Sequence, residues 1–141
     1  MSVTSEAVRK FLQADTGAGG VMALAKDVYD TFAPEGSDGP YVLVRVQSPA
    51  IPSYTVGGDG TPYLEESVIA TEVVDQNLSA AAAEDLAARI KTVMQDAALE
   101  ISGQETLWCR WRSDLDHMTI ENKLPFQHKG QLWNVKAGPA E

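Results

Sequence analysis

One long amphipathic segment constrains the fold of this chain more than any other feature. Between Ser79 and Ile101, apolar residues recur three or four positions apart, which places them on one side of an α-helix. The stripe consists of Leu86, Ile90, Val93, Met94, Ala97 and Ile101. Asn77 or Ser79 can cap the start of this helix, and Gly103 suits its end. At 1.5 Å per residue the helix would extend about 34 Å, enough to cross a small sheet.

Two segments have the length and composition of β-strands, in which successive side chains point to opposite faces. Residues 41–47 place three valines on one face, which predicts a strand with its branched face in the core. Pro40 stands at the head of this strand, and Pro49 and Pro52 are expected to end it. Residues 64–74 are apolar on both faces, so a helix or a neighbouring subunit should cover each side.

Shorter patterns complete the predicted architecture. Helical spacing predicts short helices over 5–12 and 21–25, while residues 106–112 alternate as a strand. Residues 126–136 read as a hairpin or bulged strand around Gly130, and residues 114–124 as a polar loop. The fold class is therefore α+β: a small antiparallel β-sheet packed by one long and one or two short helices, with a protruding β-hairpin loop.

Length and composition favour a single globular domain. A chain of 141 residues, 44% hydrophobic, is long enough to bury a core as one domain over 1–141, and residues 137–141 are a predicted flexible end. No apolar run is long enough to cross a bilayer, and no secretory signal is visible, so no membrane partner is predicted. The net charge of −9 is spread over both halves, which disfavours general attraction to nucleic-acid phosphates.

Residue patterns that could carry chemistry are isolated in this sequence. His117 follows Asp114 and Asp116, but one imidazole and two acids in a predicted loop do not make a metal site. Cys109 is the single cysteine, and its alternation with apolar neighbours favours a buried residue over a nucleophile. Residues 57–60 precede a strand rather than a helix, so they form a turn and not a phosphate loop. We predict no catalytic residue, no metal ligand and no cofactor, and hence no enzyme.

Two surfaces are candidates for contacts with other proteins. The first is the turn-rich hairpin loop, whose candidate contact residues are Ser53, Tyr54, Thr55, Gly57, Gly58, Asp59, Gly60 and Tyr63. The second is the face that Trp108 shares with Arg110 and Arg112, which is typical of a binding hot spot. Stacking of an arginine on Trp108 within one subunit explains the same pattern. Trp111, on the other face, is predicted to lie in the core.

The order of features resembles the phage tail terminator (tail completion) family of long-tailed phages. The matching pieces follow an N-terminal helix; they are Val28-Tyr29, Ala33-Pro34-Glu35-Gly36, Pro40-Tyr41-Val42, the glycine-rich hairpin, the strand at 64–74, the alanine-rich helix from Ser79, and the closing strand with Gly130 and Trp133. The resemblance covers most of the chain, although its motifs are short and residues 104–125 match only loosely.

This resemblance implies a structural virion protein at the head-proximal end of the tail, assembled in the host cytoplasm. It implies a homohexameric ring that terminates tail-tube polymerisation and joins the tail to the head. The implied partners are other copies of the chain, the tail tube protein and the head–tail connector or stopper protein. DNA would pass through the lumen without specific binding, and an acidic lumen would suit this passage because like charges repel.

Two alternatives remain open. The first is a head-completion or neck protein of the same virion, which would cap the portal side. A small α+β ligand-binding domain of the host would require a deep apolar pocket with converging polar groups, for which the sequence offers no residues.

Overall fold

The computed structural model describes residues 3–34, 40–53, 64–75, 80–101, 104–121 and 124–139. Within these ranges the helices are α1 (Val3–Gln13), α2 (Val21–Leu24) and α3 (Ala80–Met94). The strands are β1 (Val28–Asp30), β2 (Tyr41–Ser53), β3 (Leu64–Asp75), β4 (Gln104–Glu121) and β5 (Leu124–Pro139). The predicted α+β class, with one helix longer than the others, is confirmed.

The five strands form one sheet in the order β1-β2-β3-β5-β4. β1 pairs with β2 in parallel, and the other neighbours are antiparallel. The side of the sheet covered by the three helices is called the helix face, and the opposite side the outer face. Val42, Ile69 and Trp133 belong to the helix face, whereas Leu43 and Glu72 belong to the outer face.

The helix face carries the main core. The stripe on α3 is buried there, and Leu86, Ile90 and Met94 are fully covered by the sheet and the shorter helices. Burying one such side chain contributes about 1.5 to 3 kcal/mol. Trp133 lies on β5 beneath this layer, and its indole Nε1 donates to Thr71 Oγ1 at 2.9 Å, so its polar atom is satisfied inside the core.

Asp15 fixes the short helices to α3. Its carboxylate accepts two hydrogen bonds from the Arg89 guanidinium, both at 2.9 Å, and a third from the backbone N–H of Val21 at 2.9 Å. The hydrogen bond from Arg89 lowers the pKa of Asp15 below its ordinary value. The start of α2 is therefore held against the middle of α3 by a charge-assisted contact.

The long helix ends earlier than the periodicity predicts. α3 stops at Met94 after 15 residues, which is about 22 Å. Asp96 adopts a left-handed conformation (φ 59°), and its N–H donates to the carbonyl of Cys109 on β4 at 2.8 Å. Ala97 and Ile101 are buried as predicted, but in an irregular segment rather than in a helix.

Three strands are longer than predicted. The predicted loop over 114–124 is wrong as far as Glu121, because β4 continues to that residue, paired with β5. Pro49 and Pro52 do not end β2: Pro49 lies within the irregular pairing between Ser48 and Ile51, and Pro52 is paired with Glu65. Residues 137–139 belong to β5, and Ala137 is buried, while the flexibility predicted for residues 137–141 stays a prediction.

The predicted hairpin loop lies between β2 and β3. Ser53 pairs with Leu64, so the two strands stay paired up to the ends of this loop. Tyr54, Thr55, Gly57, Gly58, Asp59, Gly60 and Tyr63 lie outside the described residues. Among the helices that are described, none is both long enough and apolar enough to cross a bilayer.

Gly130 marks the closest approach between β5 and β3, and it generates a test of the sheet. A Cβ atom at this position would lie 1.8 Å from the carbonyl oxygen of Thr71, in the middle of paired backbone. We expect Gly130→Ala to cost about 3 kcal/mol or more, because the two strands must separate. Gly17→Ala is the control, since nothing lies within 4 Å of its Cβ position. Urea unfolding of both variants measures the difference, and equal stabilities would contradict the close approach.

Candidate interaction surfaces and a buried charged network

The predicted Trp108 surface is present on the outer face of β4. Trp108 is half-buried opposite Lys136 of β5. The Arg110 guanidinium lies 4.6 Å from the centre of its ring, and the Lys136 ammonium lies 4.7 Å from it. Arg112 donates to Asn134 Oδ1 at 3.3 Å beside this group. Trp108 therefore stacks with cations of its own chain. The exposed Arg110 and Arg112, together with the half-buried Lys136, form a basic patch on an acidic protein.

Trp111 does not lie in the core, contrary to the prediction. It is 43% exposed, because β4 is the edge strand and this residue lies at the margin of the helix layer. Its indole Nε1 donates to Asp114 Oδ1 at 2.9 Å, and the Lys91 ammonium lies 4.6 Å from its ring centre. An open groove of about 710 Å³ follows the same margin; it is lined by Ala88, Lys91, Thr92, Gln95, Arg110 and Trp111.

A third surface was missed by the sequence analysis. Beyond the pair Asp75–Gln127, β5 continues without β3, so the β4–β5 hairpin projects past the centre of the sheet. We call residues 118–121 and 124–127, from the pair Met118–Gln127 outward, the distal arm. Met118 and Ile120 on this arm are 55% and 75% exposed. The spacing of two residues between Met118 and Ile120 is typical of a β-strand and could have indicated this surface. The polar residues around them led instead to the prediction of a loop.

The outer face also contains a buried charged network. Glu72 is 1% exposed on the central strand, and its Oε2 lies 3.2 Å from Nδ1 of the buried His128. Arg45 donates to the other carboxylate oxygen of Glu72, while Thr119 Oγ1 lies 2.8 Å from Nε2 of His128. Burial alone would raise the pKa of Glu72, but the hydrogen bonds from His128 and Arg45 lower it below its ordinary value.

His117 reaches this network from the edge strand. It pairs with His128 across β4 and β5, and the two rings stack with their centres 4.5 Å apart. The predicted solvated turn at His117 is therefore wrong. Asp114 bonds to Trp111, and Asp116 accepts from Gln127 at 3.0 Å, so neither acid joins His117. Pairing between residues eleven positions apart brings the imidazoles together, and the sequence analysis did not consider it.

Cys109 is fully buried, as its alternation with apolar residues predicts. Burial disfavours the thiolate and Asp96 adds a nearby negative charge, so the pKa of this thiol is raised to about 12. Nothing in this setting activates a nucleophile.

Comparison with known proteins places the fold among solved structures. No family model matches the chain, and no curated protein matches it. A chain from the virion of a native gene transfer agent particle superposes with a TM-score of 0.65 at 18% identity, covering 95% of this chain and 93% of that one. A second solved protein superposes with a TM-score of 0.51 at 13% identity, covering 94% of this chain and 96% of that one. At these identities the matches establish a shared fold over nearly the whole chain.

Cys109 should resist thiol reagents in the native protein. Because the buried thiol keeps its proton at neutral pH, we expect at least about a hundredfold slower labelling by a disulfide reagent than in the urea-unfolded chain. Absorbance of the released thiolate follows the reaction. Native labelling as fast as that of the unfolded chain would mean that the strand is not packed as described.

The lowered pKa of Glu72 predicts a specific dependence of stability on pH. The ionised carboxylate stabilises the fold above its ordinary pKa of 4.5, and this contribution is lost as the pH falls through the lower pKa of the folded state. We expect Glu72→Gln to cost about 1 to 3 kcal/mol at neutral pH, and the difference from the unmodified chain to shrink on acidification.

Urea unfolding at several pH values measures that difference. Glu84→Gln is the matched control, because Glu84 is an exposed acid paired with Lys129 at 3.2 Å and should change stability little at any pH. If Glu72→Gln lowered the free energy of unfolding by the same amount down to about pH 3, the stabilisation would not come from an ionised Glu72 carboxylate.

Proposed function

We propose that this protein is a structural component of a phage-like virion and works through assembly rather than catalysis. The observation that carries the proposal is the shared fold, at a TM-score of 0.65 and over 95% of the chain, with a chain of a gene transfer agent virion. The coverage extends over both proteins almost completely, so the likeness concerns the whole domain and not one supersecondary motif.

Within that class, we propose a tail terminator at the head-proximal end of the tail. In this role copies of the chain form a hexameric ring that stops growth of the tail tube and joins it to the connector. In the structure, several of the segments that resemble this family lie in paired strands or in the packed cluster on the outer face. Val28 and Tyr29 pair in parallel with Val42 and Leu43, and Ala33 packs against the apolar cluster around Tyr41 on the outer face.

The exposed surfaces support contacts between unlike sides of neighbouring copies. The apolar side chains Met118 and Ile120 project from the distal arm, while the Trp111 groove lies at the margin of the helix layer. The basic patch at Trp108 faces solvent on a chain whose net charge is −9. Contacts between different patches run head to tail, and they close into a ring when the rotation between copies permits.

A ring of this kind would surround the DNA, and negative charge in its lumen would repel the DNA phosphates. Twenty acidic residues against eleven basic ones leave excess negative charge for the lumen, which favours passage over binding. A solved ring with a neutral or basic lumen would overturn this part of the proposal.

The alternative role is that of a head-completion protein of the same virion, and the position in the virion separates the two roles. A terminator binds purified tail tubes, whereas a head-completion protein binds DNA-filled heads. Co-sedimentation with each particle distinguishes them. An isolated ligand-binding domain is less consistent with the described grooves, which are open to solvent along α3 and β4 rather than enclosed.

The distal arm provides the test of assembly. We expect Ile120→Ser to weaken ring formation at least about tenfold, because each buried isoleucine contributes about 1.5 to 3 kcal/mol. Ile120→Val is the matched control, since it keeps an apolar branched side chain at the same place. Native mass spectrometry of both variants, together with the unmodified chain, gives the distribution of oligomers.

Circular dichroism during heating shows whether the serine variant is still folded. Closed rings for the unmodified chain and the valine variant, with folded monomers for the serine variant, support the proposal. The proposal would be overturned if the unmodified chain stayed monomeric at high concentration and also did not bind tail tubes.

A further inference from the structure

Three side chains of metal-ligand type meet on the outer face of the sheet. Glu72, His117 and His128 come from β3, β4 and β5, and each offers one ligand atom within 4.8 Å of the other two. Glu72 and His128 are buried, whereas His117 is exposed. The group is therefore anchored in the sheet on one side and accessible from solvent on the other.

The spacing of the two buried ligands fits a shared metal ion. Nδ1 of His128 and Oε2 of Glu72 are 3.2 Å apart. Two ligands at about 2.0 to 2.1 Å from a tetrahedral zinc ion are separated by about 3.3 Å. An ion can therefore replace the proton between these atoms without moving either strand.

The remaining polar atoms of both ligands already have partners. Arg45 bonds to the carboxylate oxygen of Glu72 that faces away from His128, and Thr119 bonds to Nε2 of His128. When an ion displaces the proton between Nδ1 and Glu72, the Thr119 hydroxyl can still accept from Nε2–H, and the Nδ1 lone pair is then directed at the ion. Hydrogen bonds of this kind orient the ligands of metal sites and select the imidazole tautomer.

His117 completes the set from the solvent side. Its ring stacks on His128 with an angle of 14° between the planes, so a nitrogen lone pair reaches the same point only after a side-chain rotation. The exposure of His117 permits that rotation. Water can occupy a fourth position from the same direction.

We propose that Glu72, His117 and His128 form a binding site for a divalent transition-metal ion of the zinc type. Two imidazoles and one carboxylate match the ligand preference of zinc, nickel and copper better than that of magnesium or calcium. Bound metal would link the central strand to the base of the distal arm, because the three ligands lie on three adjacent strands. The inference does not depend on the virion role and extends beyond it.

Zinc titration of the tag-free, chelator-treated full chain tests the site. We expect one zinc ion per chain by equilibrium dialysis near neutral pH, and a rise in the midpoint of thermal unfolding with zinc. His117→Ala should weaken binding at least about tenfold, since one of three protein ligands is lost. Because His117 is exposed, this variant should keep its metal-free stability. Asp116→Asn is the matched control and should bind zinc like the unmodified chain, because Asp116 pairs with Gln127 instead.

A second variant separates ligation from surface adsorption. Glu72→Gln keeps the shape of the side chain but weakens its ligand oxygen, so it should lose zinc affinity even at pH values where it remains folded. Failure of the unmodified chain to bind at about 100 µM free zinc would overturn the proposal, as would unchanged binding in both His117→Ala and Glu72→Gln. Release of protons on binding would support it, because zinc competes with protons for the same nitrogen atoms.

Discussion

The central strand β3 is buried on both of its faces, and the other elements are arranged around this constraint. Residues from Ile69 to Asp75 are almost fully covered. The helices cover one side, where Ile69 and Val73 join the main core. The opposite side places Glu72 under Arg45 and His128, because a buried carboxylate is tolerated only with charged or hydrogen-bonding partners. β5 must approach β3 closely along this line, and Gly130 makes that approach possible.

This arrangement places the core and the proposed assembly surface in different parts of one sheet. The core lies between α3 and the middle strands, whereas the edge strand β4 carries the exposed apolar residues Trp111, Met118 and Ile120. The other large apolar residues that are exposed among the described ones are Leu24, Phe32 and Val46. A substitution on the edge strand can therefore change contacts with other molecules at little cost to folding. The proposed metal site lies between the buried centre of the sheet and its exposed edge, because it joins Glu72 of β3 to His117 of β4.

Local periodicity predicted the elements whose burial follows one regular pattern. The α3 stripe, the buried Cys109 and the two-faced strand at 64–74 were visible because each repeats a helical or strand spacing. The apolar outer side of that strand is covered by the chain itself, so no neighbouring subunit is needed there. Periodicity could not locate the edge of the sheet, which decides the exposure of Trp111. It also could not bring His117 to His128, because that contact depends on the register of β4 against β5.

The early end of α3 has a consequence for the edge of the sheet. After Met94 the chain turns, and the N–H of Asp96 and the side chain of Gln95 bond to the backbone of Cys109 and Trp111. These two hydrogen bonds occupy backbone groups of Cys109 and Trp111, which are then not available to pair with a further strand. Among the described residues, no hydrogen bond from the end of α3 reaches the backbone of β4 beyond the bulge between Trp111 and Ser113. The edge strand β4 therefore has two different parts. Beside the end of α3, backbone groups of Cys109 and Trp111 are already hydrogen-bonded. Along the distal arm, an added strand would meet unpaired peptide groups.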